Sequence, residues 1–487
     1  MNIKKLVAFL LLTGIAASLS AQNMNRYIIV KLSSKGKTVS LCCDASAVNP
    51  AKIVSGTNSK IVKTASYVNF NAYSDTLYVF GNVTIFNCSK NSCIEAIDLS
   101  HNMQLKELYC SETKVRKVLA GTDNTALKVL DCSKTPVNED YLDTRAMLGL
   151  ESLFLDSALS MNFPYLNRNT KLKILSCSYT RWKYLDLSNL TSLEKLDCSN
   201  NKDLQSLDVS KNTALKELNC SGTYIKSLDL SKNSKLTSLD CSYNENLYSV
   251  DVSKNSELTK LVCCYCKISG LSVGNNEKLT YLNCEGNNIS KLGLLYNTKL
   301  EHLNCSYNQI SGLLVPNSPE LKSLRCNNNI FCSDYRYIDL LMCLLPERKS
   351  NEEAIFCPVY SSKSTADLNE FNKCNSNNAK AKNWDVRYYS GGKIPSTDGK
   401  YDCNGGSFPN SVREAAVESA MRVWPNPART HLHITGAAGE LRVHDITGRV
   451  VYRAEAGSDE IVVNIADWAK GMYFVRSGRQ ILKFVKE

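Results

Sequence analysis

The chain has 487 residues, a formal net charge of +11 and 21 cysteines. Its lysines and arginines are spread along the whole length, without a basic cluster interleaved with aromatics, which argues against a nucleic-acid partner. Beyond residue 21 no apolar run is long enough to cross a bilayer as a helix, which argues against a helical membrane protein.

At the N-terminus Lys4 and Lys5 precede the apolar run LVAFLLLTGIAA, and small residues follow to Ser20 and Ala21. This layout predicts a secretory signal peptide over residues 1–21. Cleavage after Ala21 would leave Gln22 first, with no cysteine there to carry a lipid. Export would make disulfides available to the cysteines. Residues 22–80 contain YIIVKL, TVSLCCDA and TLYVFGNVTIFNC, rich in Val, Ile, Tyr and Thr. They predict an N-terminal β cap, because a repeat array with an uncovered end exposes its core.

From residue 81 to 330 the string L-x-x-L-x-C recurs every 21 or 22 residues, closing at Cys88, Cys110, Cys132, Cys177, Cys198, Cys220, Cys241, Cys263, Cys284, Cys305 and Cys326. The double-length gap after Cys132 is filled by Leu150, Leu153 and Leu155, with leucine in the cysteine place. The period predicts a mostly β leucine-rich repeat solenoid of about twelve turns. Each turn supplies one strand whose leucines and cysteine face inward at alternate positions. The second half of each turn, as in Ile225, Leu228 and Leu230, predicts extended chain on the back as well. Asn201, Asn244, Asn287, Asn308 and Asn329, three residues past their rungs, can turn their amides inward to bond the bend. Thr113, Thr135, Thr180 and Thr223 can do so less completely. A buried cysteine is a compact hydrophobe, so reduced, inert rungs are expected in preference to a disulfide ladder, a metal array or redox chemistry. Cys263, Cys264 and Cys266 resemble a metal hook only superficially, since no second ligand pair lies nearby. No metal and no cofactor is expected.

After Cys326, DYRYIDLLMCLLPER predicts a helix with Ile338, Leu341, Met342 and Leu345 on one face, capped by Asp334 and ended by Pro346. Residues 331–403 should close the repeats. Cys332, Cys343, Cys357, Cys374 and Cys403 are the best disulfide candidates, and their odd number leaves one over. Residues 404–420 have the composition of an exposed linker. Residues 421–487 read as short alternating strands divided by Gly-containing turns, a small antiparallel sandwich.

Among the outward positions of the strands, Tyr109, Val129, Phe154 and Ile174 fall on consecutive turns and predict an apolar, aromatic ligand-binding patch on the concave face, with Tyr281 further along. The competing reading is that the insertion Met161–Asn169 folds over the patch. Lys211, Lys232 and Lys254 should align on the back, as a solvated face in preference to an anionic-glycan or membrane site. No catalytic residues are expected. A cysteine hydrolase needs a histidine beside its thiol, and residues 331–403 contain none. Asp197 and Asp240 lie two strands apart with nothing to raise a pKa.

The repeat consensus resembles the internalin J type of bacterial leucine-rich repeat. The cap motif Leu345, Pro346, Ala379, Asn383, Trp384 and Val386 resembles that of related surface proteins of Bacteroidota. The last region resembles the sorting domain of type IX secretion, in Pro425, Asn426 and Pro427, in DITGRVV with Gly448, in KGMYFVR with Gly471, and in a basic final strand with Lys483 and Lys486. That resemblance implies recognition by the type IX machinery, export across the outer membrane, and removal of the domain as the protein is attached to anionic lipopolysaccharide. Taken together the chain resembles an internalin J-like surface protein of the Porphyromonas type. This implies a cell-surface adhesin for a host or bacterial protein or glycan, acting in attachment, biofilm formation and virulence. The alternatives are a structural spacer without its own ligand or, disfavoured, a hydrolase.

Overall fold

The structure, a computed structural model, describes residues 25–403 and 421–487 except 45–48, 122–123, 138–141, 143, 159–164, 295, 314, 316–317, 350–351, 353, 402, 436, 438, 446–448, 457–459 and 478–479. The expected signal peptide (1–21) and linker (404–420) therefore lie outside the described residues. The chain forms two compact units, residues 1–289 and 290–487.

In the first unit ten three-residue strands, from Ile85–Asn87 to Tyr281–Asn283, form one parallel sheet. Every strand pairs in register with the next, as Glu217↔Ser238, Leu218↔Leu239 and Asn219↔Asp240 do. The central residue of each strand, leucine in all but the first, where it is Phe86, points inward with the rung after it: Leu218 is buried and Cys220 has no exposed surface. A leucine before the strand, such as Leu215, completes the core tier. Two residues past each rung the chain turns through the left-handed region, at φ +63° in Lys90, +55° in Glu112, +57° in Tyr179 and +56° in Tyr243.

The back of the unit is less regular than the sequence suggests. Ile94–Asp98, Lys117–Leu119 and Leu271–Ser272 are strands, but most back segments are turns. Side-chain amides replace the missing strand ladder. Asn212 donates to the carbonyls of Leu187 and Leu190, Asn233 to those of Val209 and Asn212, and Asn255 to those of Leu230 and Asn233, at 2.8–3.2 Å. Each of these asparagines is completely buried. A second amide column stands behind the rungs as expected: Asn244 donates to Cys220 and Cys241 carbonyls, and its oxygen accepts from Thr223. Where Cys266 takes that asparagine place, its Sγ lies 3.3 Å from the Cys241 carbonyl.

The N-terminal strands cover the first turn in two ways. Tyr27–Leu32 pairs with Thr76–Phe80 and with the back strand Ile94–Asp98. Thr38–Cys43 pairs antiparallel with the first repeat strand, Cys43 opposite Phe86, which satisfies an edge that would otherwise be open.

The second unit begins with the last two repeat strands, His302–Asn304 and Ser323–Arg325, continued in parallel by Ile355–Val359 and Asp385–Tyr388. The helix Tyr335–Leu344 starts where Asp334 accepts from the Arg336 N–H, and it buries Ile338, Leu341 and Met342. The cap motif has a physical basis: Trp384 Nε1 donates to the Pro346 carbonyl at 2.8 Å, Asn383 donates to the Arg348 carbonyl at 2.6 Å, and Ala379 is completely buried. Of the five candidate cysteines one pair is bonded, Cys343–Cys403, while Cys332, Cys357 and Cys374 are buried free thiols. The C-terminal sandwich has a three-stranded and a four-stranded sheet around Leu432, Ile434, Leu441, Val443, Val475 and Phe484.

Candidate functional site

A strand of three residues presents two side chains outward, so the sheet of the first unit carries two outward columns. The column next to the rungs is largely committed to the backbone. Asp131, Asp197, Asn219 and Asp240 each accept from the N–H two residues on, at 2.9–3.2 Å. The repeated Asp/Asn-Cys-Ser triplet is thus an Asx turn that leads the chain toward its left-handed residue.

Tyr109, Val129, Phe154 and Ile174 stand half-buried on four successive strands. They alternate between the columns: Tyr109 and Phe154 flank Asp131, while Val129 and Ile174 flank Ser152. The patch is therefore a zigzag of apolar groups interleaved with polar ones. The Tyr109 hydroxyl donates to Glu107 at 2.8 Å. Burial, that hydrogen bond and the charges of Glu107 and Asp131 push its pKa up to about 12. Tyr281 lies five strands beyond Ile174, under Lys260 at 5.7 Å, and is not part of this group. In the insertion, Leu166 and Asn169 are buried and Asn169 donates to the Thr144 and Met147 carbonyls. These residues pack into the turn before their own strand; residues 161–164 lie outside the described residues.

The central rungs are buried thiols held in the protonated form. Burial drives the thiol pKa of Cys177, Cys198, Cys220, Cys241 and Cys263 well above the usual range, and pushes that of Cys284 up to about 12. Cys110 and Cys132 approach to 3.4 Å between sulfurs without being bonded. Among the described residues no cluster of three His, Cys, Asp or Glu side chains is placed to hold a metal ion. On the back, Lys211, Lys232 and Lys254 are exposed. Each stands beside an aspartate, Asp208, Asp229 or Asp251, held below the usual carboxylate range chiefly by the N–H and hydroxyl of the serine two residues on. This column is mixed in charge.

A feature absent from the sequence reading is the rim formed by the left-handed residues. Tyr179 and Tyr243 are each 58% exposed and Tyr265 is 41% exposed. Tyr243 and Tyr265 stack with centroids 5.1 Å apart, and the Tyr265 hydroxyl donates to Glu285 at 2.8 Å. The signal was a tyrosine two places after several rungs, in CSYT, CSYN and CCYC.

In the C-terminal sandwich the N-terminal and C-terminal motifs meet. Asn426 accepts from the Val485 N–H at 3.0 Å and donates to the Lys483 carbonyl at 3.3 Å. Ala428 donates to the Val485 carbonyl at 2.8 Å. Pro425, Pro427, Gly471 and Lys483 are exposed, whereas Lys486 is buried with its ammonium on the Glu487 carbonyl. Gly448 lies outside the described residues. Asp445, Arg449, Lys470 and Tyr473, from the two middle motifs, line one cleft of about 630 Å³. Residues 422–487 match the family model described as a secretion system C-terminal sorting domain.

The C-terminal sandwich is a secretion sorting domain.

A sorting domain of this kind directs the chain through type IX secretion to the cell surface or the medium. A comparison with curated proteins found no match. Similar solved structures include the functional domain of InlJ from Listeria monocytogenes, which includes a cysteine ladder, at 19% identity, covering 86% of this chain and 94% of that one, with a TM-score of 0.47. The effector YopM from Yersinia pestis matches at 19% identity over 55% of this chain and 77% of that one, with a TM-score of 0.44. An internalin, InlF, from Listeria monocytogenes matches at 20% identity over 59% of this chain and 85% of that one, with a TM-score of 0.41.

Proposed function

We propose that this exported protein is an adhesin whose sheet face binds a protein or glycan on a host cell or a neighbouring bacterium, as a step in attachment and biofilm formation. The observation that carries this reading is the placement of Tyr109, Val129, Phe154 and Ile174. Four apolar side chains stand at outward positions on four successive strands of a sheet whose outward residues are otherwise mostly polar or charged, with Ile85, Val262 and Tyr281 as the exceptions. They contribute little to the core, which is already filled by the inward leucines and rungs. Half-buried apolar groups framed by polar ones are a common centre of protein interfaces. The rigid repeat fixes their spacing, so little ordering entropy is lost on contact.

The reading is tested with cells that carry or lack the gene. Attachment to immobilised host matrix proteins, to partner bacteria and to glycans should fall in the deletion strain. The purified full-length chain added in excess should block attachment of the wild type. Attachment that is equal in both strains, with no competition, would leave a structural spacer as the better description.

A further inference from the structure

The tyrosine rim carries an inference of its own. A left-handed backbone position favours glycine, and asparagine is the usual substitute. Gly222 and Asn200 follow that preference, whereas Tyr179, Tyr243 and Tyr265 do not. Neither the turn nor the core calls for tyrosine at these places, since the rings lie on the surface. Their use has to be sought in what they present to solvent.

The rim contains two glycines with different surroundings. At Gly286 a β-carbon would fall 2.6 Å from Tyr265 Cδ1, so the Tyr265 ring lies across that turn and fills it. At Gly222 the nearest atoms to a β-carbon all belong to Asn200, with Oδ1 at 3.0 Å. Tyr265 stacks on one face of Tyr243 at an interplanar angle of 13°. The other face therefore looks toward the preceding turn, where Gly222 supplies no side chain. The result is a notch with Gly222 as its floor, Asn200 on one side, Tyr243 on the other and the 48% exposed Tyr224 beside it. None of the four is charged at neutral pH, and burial together with nearby acidic groups keeps the Tyr243 hydroxyl protonated. The exposed side chains at the Tyr224 place on the flanking turns, Lys202 and Glu245, carry opposite charges.

We propose that this notch is a saccharide subsite, in which the apolar face of a neutral pyranose stacks on Tyr243 and its hydroxyls bond the Asn200 amide. The ligand class follows from the walls. An aromatic face with a polar edge suits a ring that is apolar on one side and hydroxylated at its rim, and the absence of net charge disfavours a polyanion. The turns repeat at the strand spacing, about 4.8 Å, so an extended glycan could continue along the rim over neighbouring turns. The proposal deepens the adhesin reading but uses residues separate from the Tyr109–Ile174 patch.

The test titrates the full-length chain with oligomers of N-acetylglucosamine, glucose and mannose, and with heparin as the charged probe. At least one neutral oligomer should bind saturably and resist high salt. Tyr243→Ala should weaken that binding about tenfold or more, while Tyr243→Phe keeps most of it. Gly222→Tyr should block the notch, its β-carbon displacing the Asn200 side chain by a few tenths of an ångström at a backbone angle, +64°, close to the +56° that Tyr243 holds, and the thermal transition of that variant should show that it is folded. Binding of these oligomers should be unchanged in a Tyr109→Ala, Phe154→Ala double variant; if cell attachment is lost there while oligomer binding persists, the two readings stand independently. The proposal is overturned if no neutral oligomer binds, if only heparin binds, or if Tyr243→Ala and Gly222→Tyr bind as the wild type does.

Discussion

Cysteine serves this repeat as a small apolar residue that accepts complete burial, yet its rungs are not equivalent. Cys177 Sγ lies 3.3 Å from the Asp197 carbonyl of the next strand. A serine there inherits an acceptor, whereas the rung at Cys220 shows no such contact among the described residues. Cys220→Ser should therefore cost about 1–3 kcal/mol, the price of an unpartnered buried hydroxyl, and Cys177→Ser distinctly less. Denaturant midpoints of the two variants measure the difference, and equal losses would contradict the role assigned to the carbonyl. Asp339, completely buried in the cap helix, offers a pH test. One oxygen accepts from the Asn375 N–H at 2.8 Å, while Oδ2 has no hydrogen-bond partner among the described residues. Burial pushes its pKa up to about 6. The folded state thus holds a proton that the unfolded chain releases near pH 3.9, so stability falls as pH rises between those values and is level above them. Asp339→Asn should melt close to wild type at pH 4 and above it at pH 7, with the gap opening between pH 4 and 6. The rungs were legible in the sequence because an apolar period is visible there. The tyrosine rim was harder to see: its mark was a tyrosine two places after several rungs, and a left-handed φ is not expected of tyrosine as it is of glycine or asparagine.

At the scale of the turn, two asparagine columns do the work that a second strand would do elsewhere. The one behind the rungs could be read from its spacing. The other was hidden, because Lys-Asn sequences such as Lys232-Asn233 look like solvated turns, and nothing in them tells that the amide points inward. The same amides explain why most of the back is not β structure: they bond the preceding turn's carbonyls directly. Asn233→Ala removes one of two donors from each of two carbonyls, Val209 keeping the Asn212 N–H and Asn212 the Leu215 N–H, at a cost of about 1–2 kcal/mol. Asn233→Asp should cost more, because a buried carboxylate would face carbonyl oxygens. Thermal or denaturant unfolding checks the order, and an Asp variant as stable as the Ala variant would show that the donors are not what matters. The cap helix, its Asp334 start and the Trp384 anchor were legible, since each rests on local chemistry. The single Cys343–Cys403 bond was not, because five cysteines in sequence leave the pairing open.

For the whole molecule, the sorting domain and the repeats make separate demands. The final strand, Gln480–Lys486, pairs along the length of Gly471–Ser477, brings Phe484 into the core and holds Asn426 through Lys483 and Val485. Truncation before Gln480 should leave the sandwich unfolded and the protein in the periplasm, which fractionation with an antibody to the repeats would show. Surface display of the truncated chain would contradict the dependence of sorting on a closed sandwich. The binding reading rests on the sheet face, and it is tested most directly by one paired measurement on Tyr109→Ala, Phe154→Ala. Cell attachment and the thermal transition of the purified chain are recorded for the same variant. The account predicts attachment reduced to the level of the deletion strain with the transition almost unmoved, because these side chains lie outside the inward core. Full attachment, or a transition lowered as much as by loss of a rung, would contradict it.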